Sequence, residues 1–225
     1  MKDVADFCFN GGKVVVTCGP GYEPVDEVRR LTNHSTGRLG TELSRALLAG
    51  GVEVICLRGI LSTWTKDVPG LDLRTFTTAG DLEGQLGALG ESGQVGAIFH
   101  AAALSDFRVK EISDATGRLM EGRKISSRLG ELHVTLETAP KVIRSFRARF
   151  SNALLVGWKY ELDGTSEDVL QAGLRQMAEN HTDACVLNGT AYGPGFGICE
   201  KGLPLHHCQN EDELFAYWID RLQKA

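Results

Sequence analysis

No stretch of this 225-residue chain approaches the ~18 consecutive apolar residues that a membrane-spanning helix needs, so no membrane role is expected. The opening residues, MKDVADFCFNGG, lack the basic start and long apolar run of a secretion signal. An excess of positive charge is missing too. The 24 Lys and Arg face 29 Asp and Glu, which leaves no broad basic surface for nucleic acid. The six cysteines (Cys8, Cys18, Cys56, Cys185, Cys199, Cys208) form no C-x-x-C pair. Three of them sit in or beside apolar strands, where a reduced thiol packs as a small hydrophobe, so a reducing, cytoplasmic setting is expected. His206-His207 is the only histidine pair, and no other ligands stand at metal-binding spacing from it. There is no G-x-x-x-x-G-K-[ST] phosphate loop and no G-x-S-x-G nucleophile elbow. The sequence also has no repeats, low-complexity tracts or linkers.

What the chain does have is one strand, turn and helix around which the rest is arranged. Val14-Val15-Val16-Thr17 reads as a strand buried on both faces. It breaks at Gly19-Pro20-Gly21, a turn whose glycines leave room for something to approach the backbone. Asn33-His34-Ser35-Thr36-Gly37 then leads into a helical pattern with Leu39, Leu43, Ala46 and Leu47 on one face. These residue types cap helices and leave the first N–H groups free for a phosphate. Further strands are expected at Val52–Leu57, at Leu71–Phe76 on a sheet edge, at Val95–Ala103, at Ala153–Trp158 and at Asp183–Asn188. Helices are expected at Glu167–Glu179 and Glu211–Gln223, with a third opened by Pro140. Asp81–Leu89 has helical spacing, but Gly84, Gly87 and Gly90 make it a poor helix. The rhythm is that of an α/β protein with a Rossmann-like, doubly wound, mostly parallel sheet. Between Val109 and Glu137 the rhythm changes to polar, glycine-punctuated sequence with strand-like alternation. This reads as an inserted β-rich arm carrying Arg123 and Lys124. The expected organisation is one domain over 1–225, with residues 1–12 as an extension and 109–137 as the arm.

Doubly wound sheets gather their strand ends at one rim, so Gly19 to Glu23, Ala102 to Asp106, Gly157 to Glu161 and Asn188 should converge. Asp106 suits a ribose hydroxyl or Mg²⁺, or else a turn cap. Lys124 beside Arg123 suits a phosphate chain, or is simply solvated. Lys159 and Glu161 suit an exposed ion pair. Asn33 suits an oxyanion donor, a helix N-cap, or both.

At these residues the sequence resembles the phosphopantothenate–cysteine ligase family. TCGPGYEPVDEVRRLTNHSTGRLG, AAALSDFRV, GRKISS, TAPKVI, VGWKYE and VLN occur in that family's order and approximate spacing, from about Lys13 to the C-terminus. The form resembled is the stand-alone bacterial type, without the flavin-dependent decarboxylase domain fused upstream in many bacteria. The resemblance implies coenzyme A biosynthesis in two half-reactions. The carboxylate of 4′-phosphopantothenate attacks the α-phosphate of a nucleoside triphosphate, giving an acyl-nucleotidylate and pyrophosphate. The amine of cysteine then displaces the nucleotide to leave an amide. It implies CTP as co-substrate, with ATP the alternative, Mg²⁺ as cofactor, and a homodimer paired through the arm. It further implies Asn33 and Lys124 as catalytic residues, Lys124 being the lysine of a flexible clamp. Gly19, Gly21, Ala102, Ala103, Asp106, Thr138, Ala139, Pro140, Trp158 and Lys159 fall on the nucleotide side. Arg29, Gly37 and Arg38 fall on the phosphopantothenate side. This chain departs from the family at Gly21-Tyr22, where Thr and a basic residue are commoner, and at Trp158, where Phe is usual. It also has Gln176 and Asn180 where the fused bacterial enzymes have a lysine pair. A nicotinamide-dependent oxidoreductase on the same architecture would need G-x-G-x-x-G or Tyr-x-x-x-Lys, and neither is present. A non-catalytic nucleotide-binding relative is the other alternative.

Overall fold

The computed structural model describes residue 9, residues 11–120 and residues 124–224. Arg123 and most of the 1–12 extension lie outside the described residues. The elements run β1 (Lys13–Pro20), β2 (Tyr22–Pro24), β3 (Arg30–Thr32), α1 (Arg38–Ala49), β4 (Val54–Gly59), β5 (Asp72–Phe76), α2 (Ala79–Glu91) and β6 (Val95–Ala103). They continue with β7 (Phe107–Asp114), β8 (Leu132–Thr138), α3 (Phe146–Arg149), β9 (Leu154–Tyr160), α4 (Ser166–Asn180), β10 (Ala184–Asn188), β11 (Phe196–Glu200), β12 (His206–Cys208) and α5 (Glu211–Gln223).

Eight strands form one sheet in the order β12-β11-β10-β9-β6-β1-β4-β5. The six from β5 to β10 are parallel, and β11 and β12 are antiparallel additions at one edge. From β1 the chain winds outward through β4 to β5, then returns to place β6 on the other side of β1. That reversal is the switch point where open α/β sheets bind ligands. The strand pleat sorts β1 between two layers. Val14 and Val16 pack with Leu43, Leu47 and Trp218 of α1 and α5, while Val15 packs with Leu82, Leu86 and Phe146 of α2 and α3. A smaller cluster beneath α4 joins Val169 and Met177 to Cys185, Leu187 and Cys199.

Local chemistry sets the helix starts. α4 opens with a capping box, in which Asp168 N donates to Thr165 Oγ1 and Thr165 N donates to an Asp168 carboxylate oxygen. α2 is capped by Thr78. Contrary to the sequence expectation, its glycines do not spoil it, because Leu82, Leu86 and Leu89 are buried. Two of those glycines also make room for α3. A Cβ at Gly90 would stand 3.3 Å from the Phe150 ring, and one at Gly87 would stand 2.7 Å from Arg149. Pro140 opens a 3-10 turn at Val142–Ser145 that then becomes α3.

The arm is a separate two-stranded antiparallel ribbon, β7 with β8, registered from Phe107↔Thr138 to Asp114↔Leu132. It therefore begins and ends slightly outside the 109–137 expected from sequence. Leu119 contributes only an isolated bridge to Ser113. A second ribbon, β2 with β3, was not legible in the sequence. It turns on Asp26, whose side chain is 1% exposed. Asp26 accepts from Val28 N, Arg29 N and Arg29 Nη1, and from Ile125 N at the far end of the arm loop. Burial alone would raise this carboxyl, but these donors together hold it below the ordinary range.

Candidate active site

The carboxyl ends of β1, β6, β9 and β10 converge at the switch point, and a cavity opens there on each face of the sheet. On the α1 side a cavity of about 250 Å³ is lined by Gly19, Gly37 and Arg38 together with His34, Tyr160 and Asn188. On the α4 side a slot of about 240 Å³ is lined by Ala102, Asp106 and Pro140 together with His100, Lys141, Gln176 and Asn180. Ala103 and Trp158 line both.

Asn33 joins this rim from outside the sheet. Its Nδ2 donates to Leu104 O at 2.8 Å, which sets it against the Leu104–Asp106 loop. It is not a helix cap. α1 begins after Gly37, which takes a left-handed φ of 75° and gives no side-chain cap, while Ser35 and Thr36 accept weakly from Gly37 N and Arg38 N. Arg38 is held at the mouth by Glu211, its Nη1 donating to that carboxylate at 2.8 Å. Asp106 is exposed, with Lys141 Nζ at 3.6 Å, and its main-chain oxygen accepts from Ala139 N, tying the base of the arm to the loop.

Three glycines near this rim also make room for packing. A Cβ at Gly19 would stand 2.0 Å from Ser62 Oγ, and one at Gly37 would stand 2.6 Å from the same atom. The room at Gly19 is thus taken by Ser62, which wedges between the first strand and the first helix. Gly21 lies outside both cavities, and its N–H is committed to Ala103 O at 3.2 Å. Its missing side chain accommodates Leu104, whose methyl group would be 2.9 Å from a Cβ. The missing side chain at Gly21 therefore serves packing, while Gly19 both seats Ser62 and lines the α1-side cavity.

The remaining sequence candidates are spread around the rim. Thr138 pairs with Phe107 at the foot of the arm, and Ala139 is buried beside it. Lys159 pairs with Glu161 at 2.8 Å and lines neither cavity. Arg29 donates to Asp26 and, through Nη2, to Ile125 O at 3.0 Å. That makes it a tether for the segment next to Lys124 rather than a cavity wall. Lys124 itself is exposed on that segment.

Sequence reasoning missed His100, Lys141 and Ser62. Lys141 had a signal, being the cation directly after the helix-opening Pro140. His100 had none, because it sits inside an apolar strand. Its Nδ1 lies 2.7 Å from Thr17 Oγ1, its ring meets Phe146 edge-on, and burial lowers its pKa to about 4. It is uncharged at neutral pH. Among the described residues no group of three or more His, Cys, Asp or Glu could hold a metal ion.

A doubly wound sheet with paired cavities at its switch point defines an α/β protein of Rossmann-like architecture whose candidate ligand site lies at the carboxyl ends of the strands. Its family can be stated more narrowly. The family model for the DNA/pantothenate metabolism flavoprotein C-terminal domain matches residues 9–216, and the chain belongs to that family. It is 30% identical over 200 residues to a cysteine/cysteine sulfinic acid decarboxylase from an unidentified prokaryote, covering 87% of this chain and 51% of that protein. It is 27% identical over 190 residues to the coenzyme A biosynthesis bifunctional protein CoaBC of Bacillus subtilis, covering 83% and 43%. The chain thus spans about half the length of these curated relatives or less. Among solved structures, the DNA/pantothenate metabolism flavoprotein from Streptococcus pneumoniae matches with a TM-score of 0.81 at 24% identity, covering 95% of this chain and 99% of that one. A Cab2 variant in complex with phosphopantothenate-cysteine matches with a TM-score of 0.71 at 17% identity, covering 95% and 87%. Likeness at these identities establishes the shared fold.

Proposed function

We propose that the chain is a phosphopantothenate–cysteine ligase that activates 4′-phosphopantothenate with CTP and joins it to cysteine in coenzyme A biosynthesis. The observation that carries this reading is the hydrogen bond from Asn33 to Leu104, which ties the candidate oxyanion donor to the Leu104–Asp106 loop that lines the α4-side slot. Family membership and the CoaBC relatives support the same reaction class.

The slot on the α4 side suits the nucleoside. Pro140 and Trp158 line it together with Asp106 and Lys141. The cavity on the α1 side, with Gly37 and Arg38 at a helix N-terminus, suits phosphopantothenate. In the first half-reaction a carboxylate oxygen bonds to the α-phosphorus and pyrophosphate leaves. Lys124, on a segment tethered by Asp26 and Arg29, supplies positive charge to the phosphates. In the second, the amine of cysteine attacks the acyl carbon and the nucleoside monophosphate leaves. The neutral amide of Asn33 donates to the oxygen that gains charge there, with no change in its own protonation.

Mg²⁺ fits this site only as a companion of the triphosphate. Asp106 is one exposed carboxylate with an ammonium group nearby, which suits a hydrated ion shared with phosphate oxygens and not a resident metal cage. Such an ion neutralises phosphate charge.

Pyrophosphate release that requires both CTP and phosphopantothenate tests the reading. Failure with every nucleotide would favour a non-catalytic nucleotide-binding relative. A homodimer belongs to the same proposal. The two-stranded arm exposes Phe107, Val134 and Leu136 and, among the described residues, has no third strand to steady it, as isolated ribbons require. Sedimentation at micromolar concentration should give twice the 24.4 kDa of one chain, and a monomer would count against it. A cytoplasmic location is supported by the five free, buried cysteines among the described residues. No helix among those residues is long and apolar enough to cross a membrane.

A further inference from the structure

Ala101, Ala103, Trp158 and Tyr160 line both cavities, so they form the wall that the two spaces share at the ends of β6 and β9. The alanines offer only methyl groups there. The indole nitrogen of Trp158 is buried, so no polar atom of that side chain reaches a ligand. Tyr160 is different. It is 61% exposed, and its hydroxyl has no hydrogen-bond partner among the described residues.

Exposure alone means little, because single apolar side chains are common on protein surfaces. The backbone around Tyr160 gives it meaning. Tyr160 ends β9 and pairs in register with Asn188 of β10. Just beyond it, Glu161 N donates to Asn188 O at 3.0 Å, and Ala191 N donates to Glu161 O at 3.2 Å. Lys159 and Glu161, on either side, are paired with each other. A fixed main chain thus carries a ring that no hydrogen bond restrains. The strand pleat puts that ring on the same face as Trp158, so two aromatic side chains follow each other along the rim.

The reaction proposed above makes a demand on this wall. Phosphopantothenate in one cavity and nucleotide in the other meet across it, so the acyl–phosphate bond forms there. An acyl-nucleotidylate open to solvent is lost to hydrolysis. The oxygen of water bonds to the acyl carbon, the bond from that carbon to the phosphate oxygen breaks, and the nucleoside monophosphate leaves. Phosphopantothenate is regenerated, the protons pass to solvent, and one triphosphate is consumed without an amide.

We propose that Tyr160 shields the acyl-nucleotidylate, its ring covering the acyl–phosphate bond when both cavities are filled. A ring in contact with that bond displaces the water that would attack it, and capture falls to the amine of cysteine. The inference rests on the ligase reading. It adds a residue that keeps the two half-reactions coupled.

Two measurements test it. Pyrophosphate and amide are followed together with CTP and phosphopantothenate, with and without cysteine. The wild-type chain should yield the two products in equal amounts, and little pyrophosphate without cysteine. Tyr160→Ala should speed the cysteine-independent release about tenfold, as water enters a site that had excluded it. Tyr160→Phe keeps the ring and should stay coupled. A merely structural role would lower both products together and leave their ratio alone. Acetylation of tyrosine hydroxyls by N-acetylimidazole, located by peptide mass, reads contact without turnover. Tyr160 is the exposed one of the four tyrosines and should react in the free chain. Phosphopantothenate together with CTP carrying a methylene between its α- and β-phosphorus, which blocks pyrophosphate departure, should abolish that labelling. Equal pyrophosphate and amide from Tyr160→Ala overturns the inference, as does a Tyr160→Phe variant that leaks as fast as Tyr160→Ala. So does unchanged labelling of Tyr160 with both ligands bound. A wild-type chain that releases no pyrophosphate with any nucleotide refutes the ligase reading and the inference with it. A coupled Tyr160→Ala variant of a working ligase refutes the inference alone.

Discussion

Asn33 Nδ2 and Leu104 O lie 2.8 Å apart across 71 positions of sequence, joining the segment before α1 to the loop after β6. That single bond ties an amide donor to the Leu104–Asp106 loop at the sheet rim, and the proposed acyl transfer depends on it. Asn33→Asp should still form the acyl-nucleotidylate, because the phosphate contacts are made elsewhere. Capture by cysteine should slow about 10²–10³-fold, the usual effect of losing one oxyanion donor. Rapid-quench measurement of the two half-reactions checks this. Equal loss in both would reduce Asn33 to a loop tether.

The Asp26 carboxylate is a different kind of contact, holding the β2–β3 turn and the arm loop together through Ile125 N and the Arg29 guanidinium. Asp26→Ala should raise hydrogen exchange at Ile125 more than tenfold while leaving the amides of β1 and β6 protected. The KM for nucleotide should rise as Lys124 loses its fixed position. Protection unchanged at Ile125 would mean that the loop is held by something else.

α1 is seated against β1 through a missing side chain. A Cβ at Gly40 would stand 2.3 Å from Cys18 Cβ, and neither atom can rotate away. Gly40→Ala should gain about 1 kcal/mol in helix propensity and lose about 1–3 kcal/mol to overpacking, with a net loss of stability. Urea denaturation reads the sign. A stabilised variant would show that the helix can lift from the sheet without cost.

Burial lowers His100 from the ordinary 6.5 to about 4. Between those values the unfolded chain takes up a proton that the folded chain refuses. The folded state therefore keeps its full stability above pH 6.5 and loses ground as pH falls toward 4. The loss is about 3 kcal/mol for a shift of that size. His100→Gln, which retains a partner for Thr17, should flatten the stability profile across that window. A wild-type slope that persists in the variant would assign it to other groups.

Much of this fold could be read from local pattern. The apolar run at Val14, the strand at Val95–Ala103 and the amphipathic helices at Glu167 and Glu211 carry periodicities that survive folding unchanged. Strand ends in a doubly wound sheet have to meet, so the gathering of Asp106, Trp158 and Asn188 was foreseeable as well. The second ribbon was not, because Tyr22–Thr32 pairs through a buried Asp26 that looks like any acidic turn residue until Ile125 arrives from the arm. Nor was the use of the glycine turn, since nothing near Gly19 in sequence announces Ser62.

The sequence by itself determined the winding of the sheet, its two-sided burial and the rim on which polar loops collect. Side-chain period and strand spacing act over a few residues and leave little choice. Only the tertiary structure decided which groups face the cavities, that Arg29 braces a loop, and that Asn180 keeps an oxygen without a partner. Such outcomes depend on which distant atoms reach a given donor or acceptor first, and a linear pattern carries no record of that competition.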